Sequence, residues 1–171
     1  MDPNDPNSLC LECGLCCNGV IFADVQLQLG ENAERLRALG LAFVASKKAE
    51  KFKQPCNAFD GCRCRIYAER PTYCRQFECL LLKSVKAGRT DPSAALRTIR
   101  TALQRVKKVK TLLRDLGDAE ESLALSKRFR RMQRRLESSG LDEETAETFG
   151  DLTLAVHDLN MLLAEAFYPG P

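Results

Sequence analysis

Through the second half of the chain, apolar residues recur at three- and four-residue steps, a spacing that predicts helices. Leu96, Ile99, Leu103, Val106 and Leu113 keep this rhythm up to Gly117. Asp91 is a capping residue, and Pro92 suits the first helical position, where its missing N–H would find no partner anyway. A second stripe, Leu125, Phe129, Met132 and Leu136, predicts a helix over 118–139 that stops at Gly140. A third, Phe149, Leu152, Val156, Leu159, Leu163 and Ala166, predicts a helix over 142–167. The stripes read as plain core, and three amphipathic helices joined by glycine turns imply antiparallel neighbours packed as a bundle.

The first half is less regular. Residues 1–9 are polar and proline-broken, which predicts a disordered start, and 10–20 predict an irregular loop shaped by cysteine and glycine. Ile21–Leu29 reads as an extended segment or a helix start. Glu31–Leu39 reads as a short amphipathic helix stopped by Gly40. Lys47–Lys53 is charged and expected to be exposed. Pro71 opens a short helix carrying Cys74, with Cys79 about one turn further on. The expected fold is mainly α, a small irregular cysteine-rich metal-binding module over 10–80 followed by a helical extension over 81–171.

Composition narrows the class. The chain has 171 residues, no Trp and 6% aromatics, so helix is the default expectation. No uninterrupted apolar run approaches the roughly 20 residues a membrane span needs, and the start carries no charged-then-apolar leader. A cytoplasmic location with no membrane partner is expected.

Net charge is only +3, but it is unevenly spread. Lys107, Lys108, Lys110, Lys127, Arg128, Arg130, Arg131, Arg134 and Arg135 crowd the middle, and no Lys or Arg follows residue 140. The acidic last segment invites pairing with the basic stretch inside the molecule. Only Phe129 interleaves with the arginines and it belongs to the apolar stripe, so nucleic-acid binding is not expected. A protein partner on the basic helical region remains open.

All nine cysteines fall before residue 80. Cys10, Cys13, Cys16 and Cys17 form a CxxCxxCC knot, and Cys56, Cys62, Cys64, Cys74 and Cys79 form a second cluster. In a reducing compartment such crowding points to metal binding or catalysis rather than disulfides. Thiolate sulfur selects zinc, copper(I) or iron–sulfur clusters, and two intervening residues let both sulfurs of a CxxC turn toward one ion. Cys10, Cys13 and Cys16 thus form a three-point grip that opens like a ferredoxin run but lacks its fourth cysteine at the usual offset. Cys17 is either a spectator or a ligand to a second, adjacent centre. A site sharing ligands from both clusters is favoured, since neither alone shows paired CxxC hooks. Arg63, Arg65, Arg70 and Arg75 alternate with Cys62, Cys64 and Cys74, where positive charge would stabilise thiolates.

The segments CLECGLCC (Cys10–Cys17), Pro55-Cys56 and CRIYAERPTYCRQF (Cys64–Phe77) resemble the YkgJ-type cysteine-cluster family, described as zinc- or iron-chelating domains. The likeness spans about residues 10–80. It implies metal chelation by Cys10, Cys13, Cys16, Cys17, Cys56, Cys64 and Cys74, with Tyr67, Arg70 and Arg75 as a supporting shell beside Pro71. Cys62 and Cys79 fall outside the shared pattern.

The leading functional expectation is a metal-binding protein holding an iron–sulfur cluster or zinc, or one of each. The all-sulfur donor set and the CxxCxxC run favour the cluster. Zinc is favoured by its prevalence in four-cysteine structural sites. A zinc-structured scaffold or interaction adapter is the alternative. A cysteine-based redox enzyme is a third reading, and it lacks a base. The one histidine, His157, is expected at the edge of the last apolar stripe as a partly buried structural residue. No Ser/His/Asp set, P-loop or paired-carboxylate site is present.

Overall fold

A computed structural model describes residues 8–45, 49–61, 63–139 and 142–168. Cys62 and Gly140 therefore lie outside the described residues, as do residues 1–7. The described residues form two compact units, one of Gly14–Glu78 with Ser122–Ala124, the other of the remainder.

The first unit is built on a small antiparallel sheet that periodicity did not show. Its strands are β1 (Asp24–Gln26), β2 (Phe43–Val44) and β3 (Lys51–Lys53), in the order β1-β3-β2. Val25 and Phe43 both pair with Phe52, the buried centre of β3. Of the segment expected to be charged and exposed, Lys47 and Lys48 lie outside the described residues, and Lys51–Lys53 supplies the middle strand, because alternation turns Phe52 inward and leaves Lys51 and Lys53 half-buried at its sides. Lys51 meets Asp24 across the sheet at 3.2 Å. Helix α2 (Ala33–Ala38) is capped by Asn32, whose Oδ1 accepts from the Arg35 amide, and packs Leu36 into the core with Val25, Leu27, Leu41, Phe52, Ala58 and Ile66. Helix α3 (Thr72–Gln76) follows Pro71, which stands at the cap position.

The second unit is helical. Helix α1 (Ser8–Cys13) replaces the irregular loop expected from residue 10 and starts inside the stretch expected to be disordered; it packs against α5. The reason is local: buried Leu9 gives this turn an apolar anchor. Helix α4 (Leu80–Lys86) precedes α5 (Pro92–Asp115), whose cap Asp91 accepts from the Ser93 and Ala94 amides as expected. Helix α6 is Leu125–Ser139 and α7 is Glu143–Ala166, capped by Asp142. Over half of the described residues are helical, so the chain is mainly α.

Three expectations change here. The helix expected from 118 starts at Leu125, because Asp118 turns inward and binds Arg128. Arg128 is only 1% exposed, its Nε 2.6 Å from Asp118 Oδ2. Ion pairs of the basic stretch run to the connection before α6, through Arg114–Glu121, Arg128–Asp118 and Arg131–Glu120, where pairing with the acidic last helix was expected. His157 is exposed, not half-buried.

Candidate metal centre

Four cysteines of the first unit, carried by three segments, are electrostatically linked: Cys74 feels Cys17, Cys56 and Cys64. The turn after α1 delivers Cys17: the amides of Cys17 and Asn18 both donate to the Gly14 carbonyl. Gly14 has φ +62°, and a Cβ there would lie 2.5 Å from Phe59 Cζ, so only glycine fits this turn. The Cys56 amide donates to the Cys17 carbonyl at 2.8 Å, which ties the two cysteine regions together through the backbone.

The segments on either side of Cys62, which lies outside the described residues, pair with each other and carry Cys56 and Cys64. Phe59 bridges Cys64, and the Arg65 amide donates to the Ala58 carbonyl at 2.8 Å. Asp60 Oδ1 accepts from the Arg63 amide to close the tip. Cys74 arrives on α3. That short helix is anchored by Glu31, which lies 41 residues away in sequence: its Oε1 accepts from the Thr72 amide at 2.6 Å and its Oε2 from the Gln28 amide at 2.6 Å. Phe22 meets the rings of Tyr73 and Phe77 edge-on, at 5.8 and 4.9 Å between centroids, which fixes the other side of α3. Cys56, Cys64 and Cys74 all pack, half-buried, against the apolar core of this unit.

The electrostatics of these sulfurs call for a cation. The Cys74 thiol is pushed up to about 12, first by burial and then by Cys17, Cys56 and Cys64, with Arg70 pulling the other way. Burial also raises Cys56, and Cys64 adds to it, against the amides of Ala58 and Phe59 and the Arg65 guanidinium. Both effects disfavour the thiolate forms of Cys74 and Cys56 as long as no cation lies beside them. No three Cys, His, Asp or Glu side chains among the described residues already stand in ligating geometry around one point. The donor chemistry nonetheless fits a soft metal: four sulfurs, no histidine in this unit, and no disulfide joining any two of the eight described cysteines.

The remaining site residues are placed as follows. Arg70 lies over the Tyr67 ring at 3.6 Å and donates from Nε to the Tyr67 carbonyl, so its charge is held near Cys74. Arg75 acts on the Glu31 carboxylate, helping to keep it low. Arg65, one of the arginines that alternate with the cysteines in the sequence, is a cation acting on Cys56. Cys10 and Cys13 belong to α1, in the helical unit, and Cys16 is half-buried beside Cys17. Cys79 caps α4, its Sγ accepting from the Leu82 amide at 3.5 Å. Sequence reasoning missed Glu31 and the Gly14–Phe59 contact. Only the Thr72 amide, left without a cap from its own neighbours, could have hinted at the first.

No curated protein and no solved structure matches the chain. A family model, "CxxCxxCC: Putative zinc- or iron-chelating domain", matches residues 9–99, more than half the length, and takes in the CxxCxxCC knot and all four converging cysteines. On that match the chain belongs to the CxxCxxCC family.

Proposed function

We propose that this protein holds an iron–sulfur cluster through Cys17, Cys56, Cys64 and Cys74. The observation that carries the reading is that half-buried Cys74 feels Cys17, Cys56 and Cys64 at once, beside the Cys17–Cys56 backbone hydrogen bond that ties the two cysteine regions together. The all-sulfur donor set supports the cluster over zinc. Arg65 and Arg70 are the supporting cations, with Tyr67 stacked beneath Arg70. The CxxCxxC spacing offers Cys10, Cys13 and Cys16 as further thiolate donors, so more than one metal per chain is part of the proposal.

Zinc is the second reading, favoured by Cys56 and Cys64 flanking a short fold-back in which Cys64 acts on Cys56, as structural zinc ligands do. In both cases metal binding contributes to folding, because the small sheet and five-residue α3 bury little apolar surface of their own. A redox enzyme built on Cys74 is disfavoured, since burial and its neighbouring thiols hold that group protonated at neutral pH. No helix among the described residues is long and apolar enough to cross a membrane. A reducing compartment belongs to the same proposal.

Anaerobic purification with metal analysis, acid-labile sulfide and a visible spectrum tests the reading. A brown sample containing iron and sulfide is expected. A colourless sample with stoichiometric zinc replaces the cluster by zinc.

A further inference from the structure

Helix α7 is apolar on two sides. Leu152, Ala155, Leu159 and Leu163 are buried, yet Leu154 and Met161 are 64% and 59% exposed. Gly150, Leu154, His157, Met161 and Ala164 recur at steps of four, three, four and three, and all are exposed. They form one outward stripe about 21 Å long at 1.5 Å per residue, with the alternation of a coiled-coil seam. The outward face of α5 carries Arg97, Arg100, Gln104, Lys107 and Lys108 instead, as a merely solvated face does.

Gly150 adds a second observation. Glycine is the poorest helix former apart from proline, and a Cβ at this position would meet nothing within 4 Å. Nothing inside the fold requires it. On an outward seam, glycine lets another backbone approach closely.

The edges of the stripe say what kind of partner fits. Glu147, Asp151, Asp158 and Glu165 line one edge, all exposed, and no ion pair engages them among the described residues. The other edge, Ala146, Thr153 and Asn160, is uncharged. A second α7 lying antiparallel would set its own carboxylates against these, and a parallel one would leave them facing its uncharged edge. We infer that this face docks an amphipathic helix of a partner protein, with apolar residues along its seam and lysine or arginine along one flank.

The test uses the full, metal-loaded chain and two fluorescein-labelled three-heptad peptides with identical leucine seams, one flanked by lysine and one by glutamate. Fluorescence anisotropy is expected to show the lysine peptide binding about tenfold or more tighter than the glutamate peptide. The exposed pair Leu154→Ser/Met161→Ser should weaken it by about tenfold with thermal unfolding unchanged. Gly150→Leu should raise the melting temperature and still weaken binding, a combination that a purely structural role does not produce. Equal binding of the two peptides, binding that survives Leu154→Ser/Met161→Ser, or no binding of either overturns the inference. So does self-association of the chain that this double substitution abolishes, which would assign the face to a second copy.

Discussion

Removing the carboxylate of Asp118 should unfold the helical unit far more readily than any other single surface-to-polar change in the basic region. Both side chains of the Asp118–Arg128 pair are within a few per cent of complete burial, at 5% and 2% exposure, and their separation is 2.6 Å. Arg128 Nη2 already has no hydrogen-bond partner, so Asp118→Ala leaves a buried guanidinium with nothing to offset its desolvation. Breaking a buried pair in this way costs about 3–5 kcal/mol. For a chain of this length each kcal/mol moves the melting temperature by about 2–4 °C, so a fall of about 6–20 °C follows. The neighbouring pairs Arg131–Glu120 and Arg114–Glu121 are each about half exposed and contribute about 0–1 kcal/mol, so they cannot compensate. Thermal melts by far-UV circular dichroism measure the loss. The double variant Asp118→Leu/Arg128→Met should recover most of it, because an apolar pair of similar volume replaces the ion pair. A loss below about 1 kcal/mol for Asp118→Ala would refute the reasoning, since a buried, unpaired guanidinium cannot be that cheap.

Glu31→Gln should destabilise the cysteine-bearing unit by about 1–2 kcal/mol at neutral pH, after discounting two charge-assisted hydrogen bonds for solvent. Burial alone would raise the Glu31 carboxyl, but the Thr72 and Gln28 amides and Arg75 hold it below 4.5, so its contribution is present above that pH and lost as pH falls through the lowered value. Urea melts of the two proteins should therefore converge in acid; a gap that widens there contradicts the assignment. Zinc added to metal-free protein at neutral pH should release about four protons from the four-thiol site, seen with a pH indicator, and apparent affinity should fall with falling pH. Zinc uptake without proton release would mean that other groups bind it. Gly14→Ala should cost about 2 kcal/mol or more and lower metal content, because the new Cβ and the positive φ both force Phe59 away from its place beside the Cys56–Cys64 fold-back. Unchanged metal content in a folded Gly14→Ala protein would show that this packing does not set the site.

The long helices were legible because their apolar residues repeat at helical spacing over many turns and their caps, Asp91 and Asp142, stand where local chemistry needs them. The face that packs was less legible. In α5 the buried line runs through Ala95, Ala102 and Val109 as well as Ile99, Val106 and Leu113, because small residues let a neighbour come close while Leu96 and Leu103 stay half-buried. The sheet escaped because strands of two or three residues are too short for alternation to register, and Phe52 sits between lysines. Buried Arg128 looked like one more member of a basic cluster, since nothing local distinguishes an arginine that meets Asp118 from one that meets water. Spacing pointed to the cysteines as a group. It could not indicate that Cys17, Cys56, Cys64 and Cys74 influence one another, which depends on the Cys17–Cys56 backbone hydrogen bond and on Glu31 reaching α3.

The most direct test of the central claim is metal content per chain after anaerobic, reducing purification of the unaltered protein and of single serine substitutions at Cys17, Cys56, Cys64, Cys74 and Cys79. Stoichiometric metal in the unaltered chain, lost on substitution of any of the first four and kept on substitution of Cys79, is the predicted result. A folded, unaltered chain without transition metal, or full metal content in the Cys74→Ser protein, would contradict it.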